Sequence, residues 1–391
     1  MGHVLTRRTA LQQIARGAAV IVPALLGRKL LRASSPDNGI QESERSAMAD
    51  VAQKFRHDFN APGLSVAIAL NGQLLYQQAF GETGRNSRQP FTTSSLFRIA
   101  SISKPITSAA IFHLIETGKI KSDDLVFGVH GILGKKYGTK AYGPGIAEIT
   151  IDHLLTHTSG GWDLQDDPMF SSPAMSQAEL ISWALDTKPL KNPPGKIFAY
   201  SNFGYCVLGR VIEKVTGLPY ADYVRKTSLS PSGIEDMRIA ENSLAKRAAG
   251  EVTYYGQQTE PGHNDDPYAI NVKRMDSHGG WIATPTDLVL FATHVDGFDA
   301  SRNILKPETI RRMTTPSAAS PNYARGWMVN EKGHWWHGGD LGGTSAILVR
   351  TASHFCWAAL TNTRSGSSAE ALDDMVWEMV SKVSAWKSAL G

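Results

Sequence analysis

The stretch Phe97-Arg98-Ile99-Ala100-Ser101-Ile102-Ser103-Lys104-Pro105-Ile106-Thr107 decides how the rest of the chain is read. Pro105 has no N–H and is tolerated only in the first turn of a helix, so a helix begins here. Ala109, Ala110, Ile111, Phe112, Leu114 and Ile115 continue it, and Gly118 can end it. The segment is apolar on nearly every side, which predicts burial in the middle of the protein. Ser101 and Lys104 stand three residues apart and share one helical face. At the helix N-terminus, free N–H groups and the positive dipole end favour a developing anion at Ser101. A buried Lys104 with a depressed pKa can take the serine proton. The pair is a candidate nucleophile and its base.

Ser-x-x-Lys also occurs at Ser243/Lys246 and Ser384/Lys387. The first of these lies in a polar segment and the second in the last helix, and both read as solvated faces. Two later segments set the Ser101 pair apart. Tyr200-Ser201-Asn202 follows Asn192-Pro193-Pro194-Gly195 and precedes an apolar helix, so it is a loop entering a helix. A tyrosinate near Lys104 would serve as general base and later as acid. The same residues also read as a helix cap with a packed tyrosine. His337-Gly338-Gly339 ends the run Trp335-Trp336. A strand with two glycines lets a ligand lie against bare backbone. A glycine hairpin is the plainer reading, and His278-Gly279-Gly280 has the same pattern.

In this order the motifs resemble the serine β-lactamase and penicillin-recognising family, in particular its class C β-lactamase, D-alanyl-D-alanine carboxypeptidase and family VIII esterase branch. Further matches are Leu154 to Gly161 (Leu-Leu-Thr-His-Thr-Ser-Gly-Gly), Pro194-Gly195-Lys196, Gly279-Gly280-Trp281-Ile282-Ala283-Thr284, Gly326-Trp327 and the Gly343 turn. The resemblance spans about residues 45 to 385. It implies an α+β, three-layer α/β/α fold with an antiparallel sheet and an inserted, mostly helical lobe. It implies acylation of Ser101, proton transfers shared by Lys104 and Tyr200, and Asn202 on the acyl side of the substrate. The N–H groups of Ser101 and Asp340 would form an oxyanion hole, with His337, Gly339 and Asp340 along the substrate. No metal or other cofactor is implied.

Two positions depart from the family. His337 stands where β-lactamases usually have Lys, and a neutral imidazole holds a substrate carboxylate less well than an ammonium. Asp340 falls where Gly, Ser or Thr is usual, and its carboxylate would repel a β-lactam or peptide carboxylate if it pointed into the site. The expected activity is therefore hydrolysis of a small ester, amide or peptide. The alternatives are a penicillin-binding or sensor-like protein that acylates without turnover, and a weak class C-like β-lactamase. The loops Tyr137 to Ile149 and Trp162 to Ser176 would line the cleft and carry no readable specificity code.

The remaining chain is consistent with this. Ser43 to Asn60 reads as an amphipathic helix, and Leu64 to Leu70 and Leu74 to Phe80 as a hairpin about Asn71-Gly72. From about 120 to 265 short helices alternate with Gly/Pro loops. Helix Thr286 to Val295, capped by Thr284 or Thr286, is followed by strands near 327–329, 335–337, 345–350 and 355–361 and by a closing helix, Ser367 to Ala389. The expected division is an α/β lobe of residues 45–100 and 270–385 and a helical lobe of 101–269, and the family resemblance implies that the site lies between them. His153 and His157 have an i, i+4 metal-ligand spacing but no third ligand nearby in sequence. There is no Gly-x-Ser-x-Gly, no His-Glu-x-x-His and no P-loop.

The chain has 391 residues, enough for a large core. Residues 1 to 36 contain six basic and no acidic side chains, and Thr6-Arg7-Arg8-Thr9-Ala10-Leu11-Gln12 resembles a twin-arginine export signal, with Ala10 where Phe is usual. Gly17 to Gly27 has the length of a signal core, and a cleavage site near Ala33 would make 1–33 a signal peptide and the protein periplasmic or secreted. A mitochondrial presequence or an unprocessed tail shares this composition. Removing 1–33 takes the formal charge from +4 to about −2, so the basic balance belongs to the leader and nothing argues for nucleic acid. No apolar run approaches the ~20 residues needed to span a membrane. Cys206 and Cys356 read as buried, unpaired thiols.

Overall fold

Asn71 and Gly72, both at positive φ, turn strand β1 (Gly63–Leu70) back into β2 (Gln73–Gly81), as the Asn-Gly pair predicts. The computed structural model describes residues 39–82, 90–256, 258–260, 263–264, 266–299, 301–365 and 368–389. The expected leader lies outside them. Helix α1 (Glu42–Asp58) precedes the hairpin, and β3 (Phe97–Arg98) leads into the Ser101 segment. There the helix is preceded by a 3₁₀ turn, Ala100–Ile102, and α2 itself is Ser103–Glu116. Pro105 falls in its first turn, where no N–H is required.

The middle of the chain is mostly helical: α3 (Ile151–Leu155), α4 (Gln177–Thr187), α5 (Asn202–Thr216) and α6 (Tyr220–Val224). It also contains short strands that periodicity does not reveal: β4 (Arg238–Ile239) and the hairpin β5 (Gln258–Glu260) and β6 (His263–Asn264). Then follow β7 (Trp281–Ala283), α7 (Pro285–Thr293) and α8 (Pro307–Thr314). Thr284 is the cap of α7, accepting from the N–H of Asp287. The chain closes with β8 (Met328–Val329), β9 (Trp335–Leu341), β10 (Thr344–Arg350), β11 (Phe355–Thr361) and α9 (Ser368–Ser381). The expected closing helix is interrupted after Ser381 and resumes as a 3₁₀ segment, Ser384–Ala389.

The main sheet runs β2-β1-β11-β10-β9-β8, every pair antiparallel. Strands from both ends of the chain thus meet at its centre, β1 against β11. The pleat divides the side chains between two cores. Leu64, Val66, Ile68, Ile347, Val349, Phe355 and Trp357 pack under α1 and α9. Ala67, Ala69, Ala346 and Ala358 point the other way, where their small size lets α7 lie close to the sheet, in the core that also holds α2 and α5. The result is the expected α+β architecture of helices on both faces of an antiparallel sheet. Both cysteines are buried and free. Among the described residues no helix is long and apolar enough to cross a membrane.

A second small sheet, β3-β7-β4, fixes the chain just before Ser101. Arg98 is its anchor and is 1 % exposed. The guanidinium donates to the carbonyls of Pro267 (2.6 Å) and Glu241 (3.3 Å) and stacks over Tyr254, 4.4 Å from the ring centroid. Its Nε lies 3.8 Å from the equally buried Glu251 carboxylate, which accepts from Tyr254 Oη (2.9 Å). Arg98→Ala would leave that carboxylate buried without its cation. It should cost about 3–5 kcal/mol of stability, read as a lowered urea midpoint.

Candidate active site

Ala100 sits at φ +47°, left-handed backbone that costs an L-residue roughly 1–2 kcal/mol. This kink turns the chain from β3 into α2 and leaves Ser101 partly exposed at the helix entrance, while every residue from Ile102 to Phe112 is buried. Lys104, one turn on, is 0 % exposed. Its Nζ lies 2.9 Å from Ser101 Oγ, 2.7 Å from Asn202 Oδ1 and 3.1 Å from the His278 carbonyl oxygen. It also stands over the rings of Tyr200 (4.7 Å to the centroid) and Tyr205 (5.8 Å). Burial pulls the Lys104 pKa down to about 7, against the opposing charge of Asp167.

Tyr200 and Asn202 arrive from the loop that becomes α5. Ser201 caps that helix, its Oγ accepting from the N–H of Gly204 (3.1 Å). The Tyr200 hydroxyl hydrogen-bonds Ser101, and burial raises the phenol pKa above its ordinary value. A neutral phenol, not the expected tyrosinate, therefore faces Ser101 in the resting site. His157 holds this loop from both sides of Tyr200. Its carbonyl accepts from the Ala199 N–H (2.7 Å) and its Nδ1 accepts from the Ser201 N–H (3.0 Å). Its ring packs against Tyr200, Tyr205 and Tyr323 with centroids 4.2, 5.1 and 4.7 Å away. His153 instead caps its own helix through Nδ1 (3.3 Å to the Thr150 N–H).

Strand β9 brings His337, Gly339 and Asp340. It continues through both glycines, beyond the three residues expected. A Cβ at Gly339 would come within 2.2 Å of the Ile99 carbonyl oxygen, so glycine is what lets this strand lie against the Ser101 turn. His337 is buried and its pKa falls to about 3, through desolvation first and the charge of Lys104 second. Its Nδ1 lies 2.6 Å from the Gly338 carbonyl and must donate to it. In the neutral ring Nε2 then has only a lone pair, and accepts from the Tyr323 hydroxyl at 3.3 Å. The imidazole has no free N–H to offer a substrate carboxylate.

The Asp340 carboxylate does not point into the site, so the repulsion considered for it does not arise. Side chains alternate along β9, so Asp340 projects to the face opposite His337 and Gly339. Its carboxylate accepts from Ser345 Oγ (2.6 Å) on β10, and Gly338, on the same face, looks toward Ala369 of α9. Only the backbone of Asp340 remains for the site.

Sequence reasoning missed three groups. The His278 carbonyl and Tyr323 carry no sequence signature for these contacts. Asp167 precedes Pro168, a turn signal that says nothing of its neighbours. It is 7 % exposed and accepts from the Met169 N–H through Oδ1 and the Asn202 N–H through Oδ2, both at 2.9 Å. Ser243 immediately precedes the short 3₁₀ turn Leu244–Lys246, and Ser384 and Lys387 lie on the 3₁₀ segment Ser384–Ala389.

A profile of the Beta-lactamase family matches residues 48–379. "Penicillin-binding protein 4*" of Bacillus subtilis (strain 168) is 27 % identical over 322 residues, 76 % of this chain and 67 % of that one. "Esterase EstB" of Burkholderia gladioli is 30 % identical over 236 residues, 56 % of each chain. The solved D-amino acid amidase of Ochrobactrum anthropi SV3, complexed with L-phenylalanine amide, superimposes with a TM-score of 0.71 at 22 % identity, over 87 % of this chain and 98 % of that one. The last likeness establishes the β-lactamase/transpeptidase-like fold.

Because His337 is neutral with its proton on Nδ1, its side-chain ¹⁵N resonances should show the Nδ1–H tautomer unchanged from pH 8 down to pH 5, with His337→Gln supplying the assignment. An imidazolium at pH 6 would contradict the burial and bonding described.

Proposed function

The chain belongs to the beta-lactamase family of serine hydrolases, and on that premise we propose that it hydrolyses neutral carboxylic esters or amides through an acyl-enzyme on Ser101. The hydrogen-bond pattern at Lys104 carries this reading. Asn202 Oδ1 and the His278 carbonyl can only accept. A neutral Lys104 amine gives them its two N–H bonds, and its lone pair is left facing Ser101 Oγ.

The steps follow from that geometry. Ser101 Oγ bonds to the substrate carbonyl carbon as its proton passes to Lys104 Nζ. The carbonyl oxygen becomes an oxyanion, for which the backbone N–H groups of Ser101 and Asp340 are the donors; removing one such donor typically costs about 10²–10³ in rate. Collapse breaks the bond to the leaving alkoxide or amine, which takes a proton from the Tyr200 hydroxyl, itself restored from Lys104. Water then attacks the Ser101 ester by the reverse route. The carboxylic acid leaves, and Ser101 and Lys104 regain their starting protons. Asn202 is the group on the acyl side.

The neutral, fully engaged His337 favours substrates without a carboxylate beside the scissile bond. On this ground we rank esterase or neutral amidase activity ahead of β-lactam hydrolysis, and the name of the Burkholderia gladioli relative supports the ester. We read residues 1–33 as a twin-arginine leader and the protein as periplasmic or secreted. We read 45–385 as the catalytic domain, with an α/β lobe of 45–100 and 270–385 and a helical lobe of 101–269.

Steady-state hydrolysis of a short-chain nitrophenyl ester tests the proposal. Ser101→Ala and Lys104→Ala should each lower kcat by about 10³-fold or more, and Tyr200→Phe by about 10²–10⁴. The kcat/KM profile should rise with pH through a midpoint near 7, where Lys104 loses its proton. A penicillin should acylate far more slowly than the ester. Turnover retained in Ser101→Ala would overturn the proposal, and a long-lived penicillin adduct with no ester turnover would replace it with a binding role.

A further inference from the structure

A line of hydrogen bonds leads away from Ser101 into the protein. Lys104 Nζ bonds Asn202 Oδ1 at 2.7 Å. The Asn202 backbone N–H donates to Asp167 Oδ2 at 2.9 Å, and the Asn202 side-chain amide bonds the same carboxylate. A carboxylate can only accept, so Asp167 takes the NH₂ end of the Asn202 amide and leaves its oxygen for Lys104. With the amide reversed, two donors would oppose each other at Nζ and two acceptors at Asp167.

The groups around Lys104 make Asp167 its counter-charge. His157 just after α3, His278 before β7 and His337 on β9 all lie within reach of the amine's charge, and burial holds all three imidazoles neutral. Tyr200 from the loop and Tyr205 from α5 are kept as phenols. The Arg274 guanidinium, which reaches the carbonyl of Met169 two residues beyond Asp167, is turned to the carbonyls of Met169, Ser171, Ser172 and Met175. Burial raises the Asp167 pKa to about 6, with the Met169 and Asn202 bonds and Lys104 opposing, so the group is a carboxylate above that pH.

We propose that Asp167 is a positioning residue of the Ser101 centre, one that orients the Asn202 amide, through it holds Lys104 against Ser101, and stabilises the ammonium formed when Lys104 takes the serine proton. The proposal rests on the reading of Ser101 and Lys104 as nucleophile and base. The sign of its effect is definite. A nearby carboxylate favours the charged amine, so removing it lowers the Lys104 pKa.

The test is the rate at which a fluorophosphonate labels Ser101, followed by intact-protein mass from pH 5 to 9. Wild type, Asp167→Asn, Asp167→Ser and Asp167→Glu are compared, each with its folding checked by thermal melting. In Asp167→Asn or Asp167→Ser the acid-side midpoint should move to lower pH by about one unit, and the plateau rate should fall about tenfold as the ammonium loses its partner. Asp167→Glu, which keeps the charge, should hold the wild-type midpoint. An unmoved midpoint in a folded neutral variant would overturn the proposal, as would an equal shift in Asp167→Glu. Failure of the wild type to label at any pH would instead overturn the reading of Ser101 itself.

Discussion

A primary amine buried among rings and carbonyls is the constraint on which the rest of this site depends. Lys104 is fully enclosed, and the cost of carrying a charge there brings its pKa close to neutrality. The amine cannot be left without acceptors, and the two that are acceptors only, Asn202 Oδ1 and the His278 carbonyl, lie 2.7 and 3.1 Å away. In the neutral amine those two bonds would leave the lone pair for Ser101, 2.9 Å away. The same dry surroundings keep His157, His278 and His337 neutral, so three imidazoles within reach of the Lys104 charge do not compete with the amine for a proton.

The scaffold is built to hold that arrangement still. Arg98 is locked by three carbonyl and carboxylate partners and two aromatic faces, three residues before Ser101. Ala100 then takes a left-handed conformation that the surrounding packing maintains. Antiparallel pairing of β9 with β10, and of β11 with β1, carries residues near position 340 to within contact of residue 99. His157 performs a similar service for Tyr200, gripping the residues on either side of it.

Much of this was legible in the sequence because it is written in local rules. The Asn71-Gly72 hairpin, the Pro105 helix start and the Ser201 cap follow from backbone preferences of single residues. The Ser101–Lys104 face follows from helical spacing. The outward projection of Asp340 was available too, since the pleat that turns His337 and Gly339 to the site turns Asp340 away. What lay beyond reach were contacts made by backbone or by loops. The His278 carbonyl belongs to every residue type, the two-residue strands β3 and β4 are too short for a period, and Asp167 reaches Asn202 across 35 residues of irregular chain.

The central claim is that Ser101 becomes covalently acylated during turnover. Mixing the protein with a short-chain nitrophenyl ester, quenching in acid after a few turnovers and measuring intact and peptide masses tests it directly. The account predicts an increase equal to the acyl group, on the peptide containing Ser101, appearing with the first nitrophenolate and lost as the ester is consumed. Ester turnover with no such adduct in the quenched samples, or with the acyl group on another residue, would contradict it.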